Sequence, residues 1–163
     1  MNSNNDFWDF LKLTELYKLK KIDRNSSNNY FETKTKTHIS RKETVSEHVY
    51  SCLKLADYFF SLKLDELKHL NQMKVFKILM YHDDIEAELW DVSISDEKER
   101  LSKELVEKEN IEKLSEKYPK NLSKQLLDLN EEYRLNYSPE AIFSHFIDKL
   151  DALVHELEYK NDR

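Results

Sequence analysis

Apolar residues recur at helical spacing along most of the chain. Phe7, Phe10, Leu11, Leu13 and Tyr17 predict a first helix that starts at an Asp6 N-cap and ends near Lys21. Residues 1–5 are polar and expected to be disordered. Residues 23–42, rich in Asn, Ser and Thr, read as a long loop with a short extended piece around Tyr30 to Thr35. Thr44-Val45-Ser46-Glu47 matches a capping box and starts a helix at Val45, whose apolar stripe is Val45, Val49, Cys52, Leu53, Ala56 and Phe60. A third helix is expected from Asp65 or Leu67 to about Leu89. Its middle, VFKILMY, is apolar on nearly every side and predicts a central buried helix.

A loop then leads to Ser95, the expected N-cap of a charged helix over 96–118. Its alternating Glu and Lys read as a solvated, ion-paired face, and Tyr118-Pro119 stops it. Another helix spans 121–134. Ser138-Pro139 restarts the chain as N-cap and first helical residue, and the last helix runs towards Tyr159. Phe146, Ile147, Leu150 and Leu153 are its expected core residues, and Trp8 with the N-terminal aromatics reads as core or dimer contact. The pattern is that of an all-α bundle of about six helices in a single domain over 1–163.

Composition agrees with that class and removes several functions. The 163 residues include no Gly and only 2 Pro. Gly-rich phosphate loops and dinucleotide sites are therefore excluded, and a turn-rich β-sandwich is disfavoured. Helices must end without glycine, and Asn is the natural substitute at a left-handed cap. The single Cys, Cys52, excludes an internal disulfide and a Cys-rich zinc site, and reads as a small core residue in a cytoplasmic protein. No run of 18 apolar residues occurs and the N-terminus lacks signal-peptide features, so neither a membrane partner nor a leader is expected. A net charge of −6 argues against nucleic-acid binding.

The chemistry concentrates where the third helix turns polar. Tyr81-His82-Asp83-Asp84-Ile85-Glu86 places ionisable groups at the end of an apolar helix, where carboxylates and imidazoles need partners or a metal. On one continuous helix, His82, Asp83 and Glu86 would share a side, with Asp84 facing solvent or a neighbouring contact. His48 lies at the edge of the second helix's stripe, and Asp148 lies among core-like residues of the last helix. His38 and His69 read as surface residues, and His145 and His155 as ordinary helix residues.

The order His48 … His82-Asp83 … Asp148 resembles the metal signature of the HD-domain phosphohydrolase superfamily. RKETVSEH (41–48), YHDDIEAELWDVS (81–93) and LNEEYRLNYSPEAIFSHFIDKLDALVHELEY (129–159) are similar to its flanking segments, most closely in the small HD-domain 5′-deoxynucleotidases. The resemblance implies that His48, His82, Asp83 and Asp148 bind one divalent metal, with Mn, Co, Fe, Mg and Ni all compatible with the mixed donor set. It implies hydrolysis of a nucleoside 5′-monophosphate by metal-activated water, with Glu86 handling a proton and Asp91 acting in sugar recognition and catalysis. Arg41 matches a basic residue near the phosphate. Trp90 stands where relatives usually have Gly, a place from which it would line the base pocket. Arg24 is the nearest candidate for the first-loop Arg of the deoxynucleotidases, without its adjacent Trp. A homodimer is the habit of such relatives. Hydrolysis of another small phosphoester or signalling nucleotide stays open, as does a non-catalytic metal- or nucleotide-binding module.

Overall fold

The computed structural model describes residues 3–24, 42–89 and 108–160, all of them helical or connecting helices. Helix α1 is Ser3–Leu11, so it starts before the expected Asp6 cap, and it continues as a 3₁₀ segment over Lys12–Lys21. Leu13, Leu16, Leu19 and Ile22 are spaced by three, the period of a 3₁₀ turn, and Leu19 and Ile22 are buried. Phe7, Trp8 and Phe10 are each more than half exposed, so they are not core residues.

Asp23 and Thr44 form an isolated antiparallel bridge. The Arg24 N–H donates to the Glu43 carbonyl at 2.8 Å and the Val45 N–H to Ile22 at 2.9 Å. The ends of the expected loop are thus pinned together at the start of α2, Val45–Ser61. The expected extended piece at 30–35 lies outside the described residues, as does the start of the charged helix at Ser95. The α2 capping box forms as the sequence predicts: the Glu47 N–H donates to Thr44 Oγ1, and the Thr44 N–H donates to Glu47 Oε2 at 2.9 Å.

The third helix is not continuous. A 3₁₀ turn over Asp65–Leu67 precedes α3, Gln72–Tyr81, which Asn71 caps. After Tyr81 the chain passes through successive i→i+3 turns before the short helix α4, Glu86–Leu89. His82 Nδ1 donates to the Leu79 carbonyl at 2.8 Å, a side-chain donor supplied to the helix end. Helix α5 covers 108–117 among the described residues and stops before Pro119, as expected. α6 is Lys120–Leu135 and α7 is Pro139–Lys160.

Asn136 takes the left-handed conformation at φ 50° to cap α6, the role assigned to Asn in a chain without Gly. The Ala141 N–H donates to Ser138 Oγ at 3.0 Å, so Ser138 caps α7.

α3 packs against α2, α6 and α7, as its apolar run predicts. Cys52, Ala56, Val75, Leu79, Phe143 and Ile147 fill the core between α2, α3 and α7. Ile78, Tyr81, Leu114, Tyr118 and Leu126 fill a second core towards α5 and α6. Leu153 is more than half exposed rather than core, and Phe146 is about half exposed, at the edge of the core with its ring against Phe59 and Phe143. Among the described residues no helix is long and apolar enough to cross a membrane.

Candidate metal centre

Three helices bring four donors to one point. His48 lies one turn into α2, where the capping box sets the first turn. His82 and Asp83 lie in the turn after α3, and Asp148 is on α7. His48 is fully buried and His82 nearly so, while the carboxylates of Asp83 and Asp148 are about a quarter exposed. His48 Nε2 is 3.1 Å from Asp148 Oδ1 and 3.6 Å from Asp83 Oδ2. His82 Nε2 is 3.4 Å from Asp83 Oδ1 and 3.9 Å from Asp148 Oδ1. Donor atoms of His48, His82 and Asp83 all lie within 4.8 Å of one another.

These residues fit a metal. The His82 Nδ1 proton goes to Leu79, so Nε2 carries the lone pair. That buried Nε2 makes no hydrogen bond and faces both carboxylates. Two imidazole nitrogens and two carboxylates make a mixed N/O set suited to a first-row or hard divalent cation. The alignment comes from a turn rather than from the expected shared helix side of His82, Asp83 and Glu86.

The charges interlock. Burial disfavours a charged His48, but the hydrogen bonds to Asp148 and Asp151 prevail and push its pKa up to about 12. Burial likewise opposes ionisation of Asp148, yet the His48 hydrogen bond and the fields of His82, His48 and Arg24 hold its carboxyl well below the usual range. Burial pushes the Cys52 thiol up to about 11, against a weaker pull from His48, so it stays protonated. Its sulfur packs 3.6 Å from His48 Nε2 in the core.

Two neighbours of the quartet, Asp151 and Tyr133, escaped the sequence reading. Asp151 Oδ2 is 2.7 Å from His48 Nδ1, and Asp151 is buried. Tyr133 on α6 donates to Asp148 Oδ2 at 3.1 Å and sets its ring edge to face on His82. Asp84, expected to face solvent or a neighbouring contact, takes the second course: it is buried and accepts from the Tyr118 hydroxyl, and burial pushes its carboxyl up to about 7. One signal was present in the sequence: Asp151 stands three residues after Asp148, so both carboxylates lie on one helix side. Tyr133 had no local signal.

His145 stacks on Tyr133 at 3.8 Å between ring centroids, and His155 Nδ1 lies 3.9 Å from Glu43. Glu86 is half-buried at the start of α4. Arg24, assigned to substrate by resemblance, lies beside His48 Nδ1, 3.7 Å from Glu43 and 3.8 Å from Asp151. Arg41, Trp90 and Asp91 lie outside the described residues.

The family model for the HD domain matches residues 16–163. The chain belongs to the HD-domain family. Among curated proteins, the HD-domain chain is 29% identical over 122 residues to the 5′-deoxynucleotidase HDDC2 of Xenopus laevis, covering 75% of this chain and 58% of that one. It is 27% identical over 124 residues to the human protein of that name, covering 76% of this chain and 58% of the relative. The chain thus spans under two thirds of the length of these relatives.

Among solved structures, a protein described as a predicted metal-dependent phosphohydrolase of Magnetospirillum magnetotacticum superposes with a TM-score of 0.69 at 24% identity, covering 90% of this chain and 67% of the other. A conserved hypothetical protein of Pyrococcus furiosus gives 0.62 at 23%, covering 93% and 82%. Both share the all-α HD-domain fold with this chain.

Proposed function

We propose that this HD domain is a metal-dependent phosphomonoesterase that releases phosphate from nucleoside 5′-monophosphates, 2′-deoxynucleotides among them. The observation that carries the reading is the convergence of His48, His82, Asp83 and Asp148, with the buried His82 Nε2 lone pair aimed at both carboxylates. The 5′-deoxynucleotidase name of the curated relatives supports the substrate class.

His48, His82, Asp83 and Asp148 would hold the cation, and Mn, Co, Fe, Mg and Ni all suit such donors. A divalent ion in this place supplies Lewis acidity towards a phosphoryl group and makes nearby water more acidic. Glu86 follows Asp83 by one short turn and handles the proton moved between water and the leaving oxygen. Asp91 acts in sugar recognition and catalysis. Arg41 binds phosphate as a forked cation, and Arg24 adds positive potential beside His48. Trp90, which stands where relatives usually have Gly, is assigned to base choice, so Trp90→Gly should change KM across bases more than kcat.

The test is phosphate release by the purified chain from a panel of nucleotides with each of these metals. Release from 5′-monophosphates is expected. Turnover of none of them with any metal overturns the reading, and release from other phosphoesters alone moves the substrate class. The chain is further proposed to be a cytoplasmic homodimer, with the exposed Phe7, Trp8 and Phe10 as contact residues. A light-scattering mass of 19.7 kDa at micromolar concentration overturns the dimer.

A further inference from the structure

His48 is gripped at both ring nitrogens, and the two grips do different work. Nε2 faces Asp148 Oδ1 at 3.1 Å and Asp83 Oδ2 at 3.6 Å, in the proposed metal centre. Nδ1 points away from it and faces Asp151 Oδ2 at 2.7 Å, with Arg24 Nη1 beside the same nitrogen. A cation bound at Nε2 displaces the proton there and leaves His48 a neutral imidazole, in which Nδ1 either donates or accepts.

Arg24 can only donate. Were it the partner, Nδ1 would be an acceptor and the ring proton would sit on Nε2, where it blocks a metal. The ionised Asp151 can only accept. With Asp151 as partner the proton sits on Nδ1, and the Nε2 lone pair faces Asp148 and Asp83. The two neighbours of one nitrogen therefore favour opposite tautomers.

We propose that Asp151 is a positioning residue for the metal centre: by accepting the His48 Nδ1–H it selects the tautomer whose Nε2 can bind a cation. The proposal rests on the metal-centre reading above. Asp148 and Asp151 are one turn apart on α7, so a single helix clamps both edges of the ring. His48 is fully buried and Asp151 nearly so, and no water can readily replace that carboxylate. Arg24 has its own carboxylates in Glu43 and Asp151, at 3.7 and 3.8 Å, so its charge is balanced without the imidazole. A carboxylate behind a ligating histidine is a general way to fix ring orientation and raise ligand basicity.

The experiment has two arms, both on the full chain. In the first, nitrogen-labelled histidine is observed by NMR in wild type loaded with diamagnetic Zn²⁺. A His48 proton on Nδ1 is expected, and a proton on Nε2 overturns the proposal without any variant having to fold. In the second, Mn²⁺ is titrated calorimetrically into wild type and Asp151→Asn. The expected result is unchanged stoichiometry with affinity weaker by about 10–100-fold. Affinity within twofold of wild type overturns the positioning role alone. Absence of Zn²⁺ and Mn²⁺ binding by the wild type overturns the metal centre itself, and the proposal with it.

Discussion

The Tyr133 hydroxyl donates to Asp148 Oδ2 at 3.1 Å and thereby leaves Oδ1 turned towards His48 and His82. The tyrosine is itself held: its ring stacks on His145, whose Nε2 is 2.9 Å from the Tyr133 carbonyl. Tyr133→Phe removes the donor and keeps the stack. A hydrogen bond to a partly exposed carboxylate is worth about 1 kcal/mol net, so the unfolding free energy from denaturant titration should fall by that amount. Tyr133→Ala also removes the ring packing and should cost about 3–5 kcal/mol. Equal losses for the two variants would show that the hydroxyl carries the whole effect.

Metal content should follow the quartet. Elemental analysis is expected to find a divalent ion in wild type and much less in His82→Ala and Asp148→Ala. A bound ion stabilises the fold by mass action, about 2.7 kcal/mol at a hundredfold excess over Kd. A chelator should accordingly lower the Tm of wild type and leave that of His82→Ala nearly unchanged. Equal metal content in all three proteins would refute the assignment.

Glu86→Gln should keep the fold and the metal while losing most turnover. Gln preserves shape but cannot take a proton, and general acid–base assistance is worth about 10²–10⁴-fold in rate. Steady-state kcat with the best substrate is the measurement. A wild-type kcat would make Glu86 structural and turn attention to Asp91.

The Asn71 N–H donates to Glu140 Oε1 at 3.0 Å, and Lys74 Nζ lies 3.5 Å from Oε2. That backbone hydrogen bond, with Lys74 behind it, holds the Glu140 carboxyl below its ordinary value of 4.5. The unfolded chain therefore takes up this proton first as pH falls. The stabilisation is complete above the ordinary value and disappears as pH drops through the lower folded-state value. Glu140→Gln should be less stable than wild type at neutral pH by up to about 1 kcal/mol, with the gap closing in acid. Thermal melts across that range decide it; a gap that widens in acid contradicts the assignment.

Thr44→Ala removes the acceptor for the Glu47 N–H at the start of α2. The cost should be about 1 kcal/mol. In a domain of this size that lowers Tm by about 2–4 °C. Thr44→Ser, which keeps the oxygen, should restore most of it.

The sequence by itself determined what short-range chemistry decides. A capping box needs only Thr44 and Glu47, Ser138-Pro139 is a complete helix start, and Asn136 is a left-handed cap in a chain with no Gly. The order His48, His82-Asp83, Asp148 was legible because each donor stands in a recognisable local segment.

Only the tertiary structure decided the rest. The apolar period runs smoothly through VFKILMYHDDIEAEL, and nothing local announces the break after Tyr81, where His82 reaches back to Leu79 and turns its other nitrogen to the site. Trp8 and Phe146 have the residue type of a core, but exposure depends on whether another helix covers that face. Asp151 and Tyr133 lie 103 and 15 residues in sequence from the site partners they meet, and Asp84 lies 34 from Tyr118. Those contacts form because a buried polar group must find a partner, and the packing of distant helices fixes which partner is within reach.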